Sequence, residues 1–201
     1  MPATARRGSP RQTVVEAAPQ IWVFSTRLGF MALVQQTTET RKAGKPKIIV
    51  RQLSVAHASP HDALQAIDPT WRFYAQVQDE PNSLVKRLQA YAEGAKVNFD
   101  DVEVALDHAS AFRRRVLAAC RAIPRGETRT YGELALAAGA PRAARAVGTT
   151  MASNRVAIIV PCHRVVRAGG HLGGYSAPNG PTLKCRLLEL EKARVSRPVR
   201  R

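Results

Sequence analysis

Apolar runs at residues 21–24 (Ile-Trp-Val-Phe) and 30–34 (Phe-Met-Ala-Leu-Val) flank Leu28-Gly29, a pattern that predicts a β-hairpin. A third strand is expected over residues 47–53, Lys-Ile-Ile-Val-Arg-Gln-Leu. Ser59-Pro60-His61-Asp62 supplies a cap and a first-turn proline for a helix running to Ile67. Pro81-Asn82-Ser83 opens another over residues 84–92, with Leu84, Leu88 and Tyr91 on one face. From about residue 109 the pattern becomes helical with short turns. Phe112, Val116, Leu117 and Cys120 form one stripe, which assigns Cys120 to the core. Thr130 caps a helix over residues 131–138, Gly139-Ala140-Pro141 breaks it, and a second helix restarts with Pro141 in its first turn. Helix, glycine-containing turn and helix make a helix-turn-helix pattern.

On that second helix Ala143, Val147, Thr150 and Met151 fall on the inward side, with Arg142, Arg145 and Thr149 opposite. The outer face alternates arginine with small residues, which suits close approach to a DNA backbone; an ordinary solvated face is the alternative. The aliphatic run at 156–160 reads as a short buried strand, ended by Pro161, which cannot continue a pairing ladder. A last helix over residues 182–193 aligns Lys184, Leu187, Leu188 and Glu191 inward, leaves Glu189 pointing elsewhere and makes Cys185 structural. The fold class expected is α+β: a small N-terminal three-stranded αβ domain (21–105), then a mainly helical C-terminal domain with the helix-turn-helix (106–193). Residues 1–20 read as a disordered basic arm, with a transit peptide as the alternative, and 194–201 as a basic tail.

Charge changes the picture more than length does. Thirty-one Lys and Arg against 15 Asp and Glu leave a formal net charge of +16. Such an excess serves a polyanion, nucleic acid before a membrane surface, although arginines crowding the C-terminus are partly a solubilising tail. No apolar run approaches the roughly 18 residues of a membrane-spanning helix. Three cysteines without regular spacing argue against a disulfide framework and fit a reducing cytosol. His57 and His61 stand at i, i+4 without further soft ligands, so no metal is expected.

The candidate chemistry sits at Pro161-Cys162-His163-Arg164-Val165. A thiol is strongly nucleophilic only as the thiolate, and a histidine placed to take its proton is the usual remedy. Taken in isolation, such a pair is equally a buried small hydrophobe beside a satisfied histidine.

The surroundings carry a resemblance. Ile123-Pro124-Arg125-Gly126-Glu127-Thr128, Tyr131-Gly132-Glu133-Leu134-Ala135, Ala143-Ala144-Arg145-Ala146-Val147-Gly148, Asn154, the Pro-Cys-His-Arg core, Gly173-Gly174-Tyr175 and Lys184-x-x-Leu187-Leu188-x-x-Glu191 occur in one order. Over residues 112–191 the chain thereby resembles the O6-alkylguanine-DNA alkyltransferases, or methylated-DNA–protein-cysteine methyltransferases. The resemblance implies a repair protein that flips O6-alkylguanine out of duplex DNA and moves the alkyl group irreversibly to Cys162, without a cofactor. It implies His163 as proton acceptor through a water, Glu191 as its partner, Tyr131 as proton donor to the base and Asn154 as a brace. It places Val165, Tyr175, Ser176, Gly173 and Gly174 around the base, with the Cys162 and Val165 carbonyls reading its exocyclic amine. Arg142, Ala143, Ala144, Arg145 and Thr149 would meet DNA, Arg145 filling the gap left by the flipped base. A monomer, cytoplasmic and nucleoid-associated, is expected, with double-stranded DNA as partner and no membrane.

Bland readings stand beside these: Tyr131 as a helix staple, Asn154 as a turn residue, 169–174 as a flexible hairpin. The sequence departs from the family at Arg155, often proline there, at Thr149-Thr150 and at the stiff 177–181 link. Rival functions are a lesion sensor, a helix-turn-helix adaptive-response regulator and a Cys-His hydrolase. The first lacks the cysteine that is present here, the second needs a further domain, and the third an oxyanion-hole motif.

Overall fold

The computed structural model describes residues 14–40, 46–106 and 109–193. In chain order they form β1 (Val14–Glu16), β2 (Gln20–Thr26), β3 (Gly29–Thr40), β4 (Lys47–His57), α1 (Pro60–Gln65), α2 (Pro69–Tyr74), β5 (Gln76–Gln78), α3 (Ser83–Ala92) and β6 (Glu103–Val104). Then come α4 (Ala111–Arg121), β7 (Arg129–Thr130), α5 (Tyr131–Ala137), α6 (Ala144–Ala152), a 3-10 turn (Cys162–Arg164), β8 (Val165–Val166), a second 3-10 turn (Ala168–Gly170) and α7 (Gly180–Leu190).

The three expected strands are the antiparallel centre of a six-stranded sheet ordered β5-β2-β3-β4-β6, with β1 added to β3. At the hairpin, Gly29 has φ +115, and a side chain there would put Cβ 2.7 Å from the His57 carbonyl oxygen, so only glycine fits. Strand alternation sends Ile21, Ala32 and Val34 to one face, under Ala63 and Ile67 of the α1 region. Trp22, Phe24, Met31, Leu33, Leu53 and Val55 go to the other, in one cluster with Leu88 and Tyr91 of α3, Cys120 of α4, Val147 of α6 and Leu187 of α7. The sheet and the helical half thus share one continuous core.

Side-chain caps fall where the sequence places them. Ser59, Asn82 and Thr130 each accept an N-terminal amide, Ser110, which the sequence reading did not single out, does the same at α4, and Thr130 with Glu133 closes a reciprocal capping box at α5. Such caps contribute about 1 kcal/mol each.

Several expectations need correction. Part of the N-terminal arm is ordered: β1 pairs with the far end of β3. Residues 1–13 and the 194–201 tail lie outside the described residues. Pro141 precedes α6 rather than entering its first turn, because Ala143 is the N-cap. The last helix opens earlier than expected, at Gly180, and Glu191 is its C-cap. Residues 156–160 are buried as expected but are not a strand. The Ile159 amide bonds the Ala157 carbonyl at 2.9 Å, a γ-turn centred on Ile158 at φ 72, and pairing is reduced to single bridges. A β-branched residue in this region stores about 1–3 kcal/mol, held by the packing around it.

Candidate active site

The γ-turn folds the chain back so that Pro161 delivers Cys162 into the 3-10 turn. Asn154, two residues past α6, spans the fold: its Nδ2 donates to the Val160 carbonyl at 3.0 Å and lies 3.1 Å from Cys162 Sγ. Its Oδ1 accepts the Val156 amide at 3.1 Å. Asn154 therefore both holds the turn together and donates to the Cys162 thiol.

Cys162 is 6% exposed and faces a cavity of about 310 Å³ walled by Tyr131, Gly148, Met151, Ala152, Gly174, Tyr175 and Ser176. Tyr131 opens α5, while Gly148 and Met151 belong to α6, so the helix-turn-helix forms one wall. A Cβ on Gly148 or Gly174 would meet nothing within 4 Å, so both present open backbone. Gly173, with φ +68, turns the loop beneath Tyr131; a Cβ there would lie 3.5 Å from its hydroxyl. A second cleft, about 420 Å³, reaches Cys162 between β4 and residues 175–178.

Behind the thiol lies a buried polar cluster. Glu191 receives a two-point fork from Arg164, Nε to Oε2 at 2.9 Å and Nη2 to Oε1 at 2.8 Å. His163 Nε2 lies 3.1 Å from Glu191 Oε1, and Tyr91 donates to the same oxygen at 2.7 Å. Since carboxylate oxygens only accept, this geometry assigns the imidazole proton to Nε2 and leaves Nδ1 as the basic nitrogen. Nδ1 is buried and has no partner among the described residues.

The titration behaviour follows from this arrangement. Burial lifts the Glu191 carboxyl, but hydrogen bonds and charge from His163 and Arg164 outweigh it and hold the group well below the carboxylate range. Burial lowers His163 despite the carboxylate beside it. Burial raises the Cys162 thiol, against opposing help from Asn154, Lys184 and Tyr175. The resting pair is thus a neutral thiol beside a neutral imidazole, not a preformed ion pair.

Lys184 is fully buried; its Nζ donates to the Val165 carbonyl at 2.5 Å and to Gly174 at 3.4 Å. Burial lowers its pKa to about 8. It joins the end of the 3-10 turn to the pocket loop. The two carbonyls expected to read the base are already engaged: Val165 by Lys184, Cys162 by the Val165 amide. Each keeps one lone pair for a ligand.

The remaining expected residues divide clearly. Tyr131, Tyr175 and Ser176 join Cys162 in the pocket. Arg142, Arg145 and Thr149 are exposed in the α6 region, with Ala143 and Ala144 at its start. Cys120 is buried in the core, and Cys185 lies on α7 within 3.5 Å of Glu189 Oε1. Sequence reasoning missed Tyr91 and Lys184 as members of the site. A buried tyrosine hydroxyl and a buried ammonium each need partners, which was the available signal.

The family model described as 6-O-methylguanine DNA methyltransferase, DNA binding domain, matches residues 111–193. The methylated-DNA–protein-cysteine methyltransferase of Mycobacterium bovis is 52% identical over 111 residues, 55% of this chain and 65% of the relative. That of Metallosphaera sedula is 41% identical over 115 residues, 57% of this chain and 70% of the relative. A crystal structure of Mycobacterium tuberculosis OGT in complex with DNA superposes with a TM-score of 0.67 at 37% identity, covering 86% of this chain and 93% of that one. The chain belongs to the methylated-DNA–protein-cysteine methyltransferase family. The aligned sequence spans somewhat under two thirds of the mycobacterial relative, 65% of its length. Within the family frame, Cys162, His163, Glu191 and Asn154 converge on one site. Among the described residues no group of His, Cys, Asp and Glu could hold a metal ion, and no helix is long and apolar enough to cross a membrane.

Proposed function

We propose that the protein repairs DNA by taking the alkyl group of O6-alkylguanine onto Cys162. The observation that carries this reading is the thiol itself: buried at the floor of a cavity, bonded by Asn154 and backed by a histidine whose free nitrogen is the basic one. An alkylated base inside a stacked duplex is out of reach, so the nucleotide must leave the stack and enter the cavity. Cys162 Sγ then attacks the alkyl carbon while its proton passes through a water to His163 Nδ1. The carbon–sulfur bond forms as the carbon–oxygen bond breaks, and the guanine leaves as an oxyanion. Tyr131 protonates the departing ring and the Ser176 amide meets the oxygen, which lowers the cost of the developing charge. Glu191 stabilises the imidazolium.

DNA docking falls to α6. The helix opens on Ala143 without a side-chain cap, so its first amides are free to meet a phosphate, and Arg142 and Arg145 flank that end. Small residues around them allow a shallow minor-groove approach with Arg145 occupying the vacated stack. We place the protein in the cytoplasm, on the nucleoid, as a monomer.

Arg145→Ala tests the flipping step. Transfer from duplex DNA should slow by about tenfold or more, the loss of one guanidinium contact of 1–3 kcal/mol, whereas reaction with free O6-benzylguanine should be little changed. Equal losses on both substrates would place Arg145 in folding or in the pocket rather than at the flipped site.

A further inference from the structure

Tyr91 comes from α3, in the N-terminal half, yet its hydroxyl ends inside the polar cluster behind Cys162. It donates to Glu191 Oε1 at 2.7 Å and lies 3.4 Å from His163 Nε2. The residue is 1% exposed, and Glu191 and His163 are the partners its hydroxyl has among the described residues. Three groups converge on Oε1: Tyr91, His163 and Arg164 Nη2.

The placement is held from several sides. The ring meets Phe99 edge-on at 5.9 Å, and the Arg125 guanidinium lies over it at 5.2 Å. Arg125 Nη2 donates to the Gly94 and Leu190 carbonyls, at 3.1 Å each. Gly94 follows α3 and Leu190 ends α7, so Arg125 ties together the two helix ends that carry Tyr91 and Glu191.

Resting on the alkyl-transfer reading above, we propose that Tyr91 is a positioning residue of the transfer site, holding the Glu191 carboxylate and limiting how strongly it retains a proton on His163. The N-terminal half is then a working part of the proton relay and not only a support for it.

A carboxylate that already accepts from a phenol offers less negative charge to the next donor. The other groups facing His163 act as follows. Arg164 beside it and Lys184 of α7 disfavour a second cation, while Glu191 favours one. Cys162, Cys120 of α4 and Tyr175 of the pocket loop are neutral, with burial raising all three, and Arg125 acts on the Tyr91 ring from behind. Removing the phenolic donor leaves both cations in place and concentrates the Glu191 charge on His163. The imidazole then keeps its proton to higher pH, and a protonated imidazole cannot accept the thiol proton.

The test is the pH dependence of alkyl transfer from free O6-benzylguanine, which needs no DNA binding. Tyr91→Phe should move the acidic limb of the rate profile to higher pH by about one unit, a roughly tenfold loss on that limb. Installing 3-fluorotyrosine at position 91 alone, a stronger donor of nearly the same shape, should move the limb to lower pH. If wild type fails to alkylate Cys162, the functional reading falls. If wild type transfers and the fluorotyrosine limb stays where wild type has it, the Tyr91 proposal falls, whether or not the phenylalanine variant folds. Opposite displacements by the two variants would establish it, because a purely structural role offers no reason for a change of sign.

Discussion

Cys162→Ser should reduce alkyl uptake from O6-methylguanine DNA to background while leaving duplex affinity within a few fold. A serine hydroxyl keeps the volume and can accept the Asn154 amide that now meets the thiol at 3.1 Å. What it lacks is an accessible anion: an aliphatic alcohol is far less acidic than a thiol, so the imidazole leaves far less of it as the attacking anion. DNA affinity is expected to survive because Cys162 is buried, whereas Arg142 and Arg145 are exposed. The other cysteines are controls. Cys120 is sealed in the core, and burial pushes its thiol well up. Cys185 sits on the far side of α7 beside Glu189. Both serine variants should retain transfer. Uptake by folded Cys162→Ser, with loss in either control, would reassign the nucleophile.

Glu191→Ala should damage stability and chemistry together. Its carboxylate is the shared acceptor for Arg164, His163 and Tyr91, and its side chain has no solvent exposure. Removing one partner of a buried ion pair strands the other, at about 3–5 kcal/mol. Among the described residues Arg164 then retains the Ile123 carbonyl, with slight solvent contact. Losing the group that orients and stabilises the imidazolium should slow transfer by about 100-fold or more. Because the folded carboxyl is held below its ordinary pKa of 4.5, its stabilisation is complete above that pH and drains away as pH falls. The gap between wild type and Glu191→Ala in urea unfolding should therefore narrow as pH is lowered below about 4.5. A pH-independent gap would mean that packing, not the ion pair, explains the loss.

The parts of this molecule legible in sequence are those written in neighbouring residues. Capping residues fixed the starts of α1, α3 and α5, and the stripe at Lys184, Leu187, Leu188 and Glu191 correctly aimed Glu191 inward. The hairpin was legible because both its strands carry apolar runs and Gly29 interrupts them. Strands of two or three residues, β1, β5 and β6, are too short for any period to show. The γ-turn was invisible for a different reason: Val-Ala-Ile-Ile-Val favours a strand, and only tertiary packing holds Ile158 at positive φ.

The site shows the same division. Cys162, His163 and Asn154 lie within ten residues and could be read together. Tyr91 is 100 residues from Glu191, and its helix face announced burial without saying which group its hydroxyl would meet. Lys184 stands on the inward stripe, but its carbonyl partners lie in the two-residue strand β8 and in the pocket loop, whose course no local pattern dictates.

Alkyl transfer on this reading ends in a stable carbon–sulfur bond made once at Cys162. A thioether is neither a disulfide nor a sulfenic acid, so cellular reductants cannot return it to the thiol. Among the described residues no second thiol lies within hydrogen-bonding reach of Cys162 to resolve it. Intact-protein and peptide mass spectrometry after hours with excess O6-methylguanine duplex is the most direct measurement. The account predicts a plateau at about one methyl per chain, with the added mass on the peptide containing Cys162. Continued turnover past that plateau, or the methyl on any other residue, would contradict it.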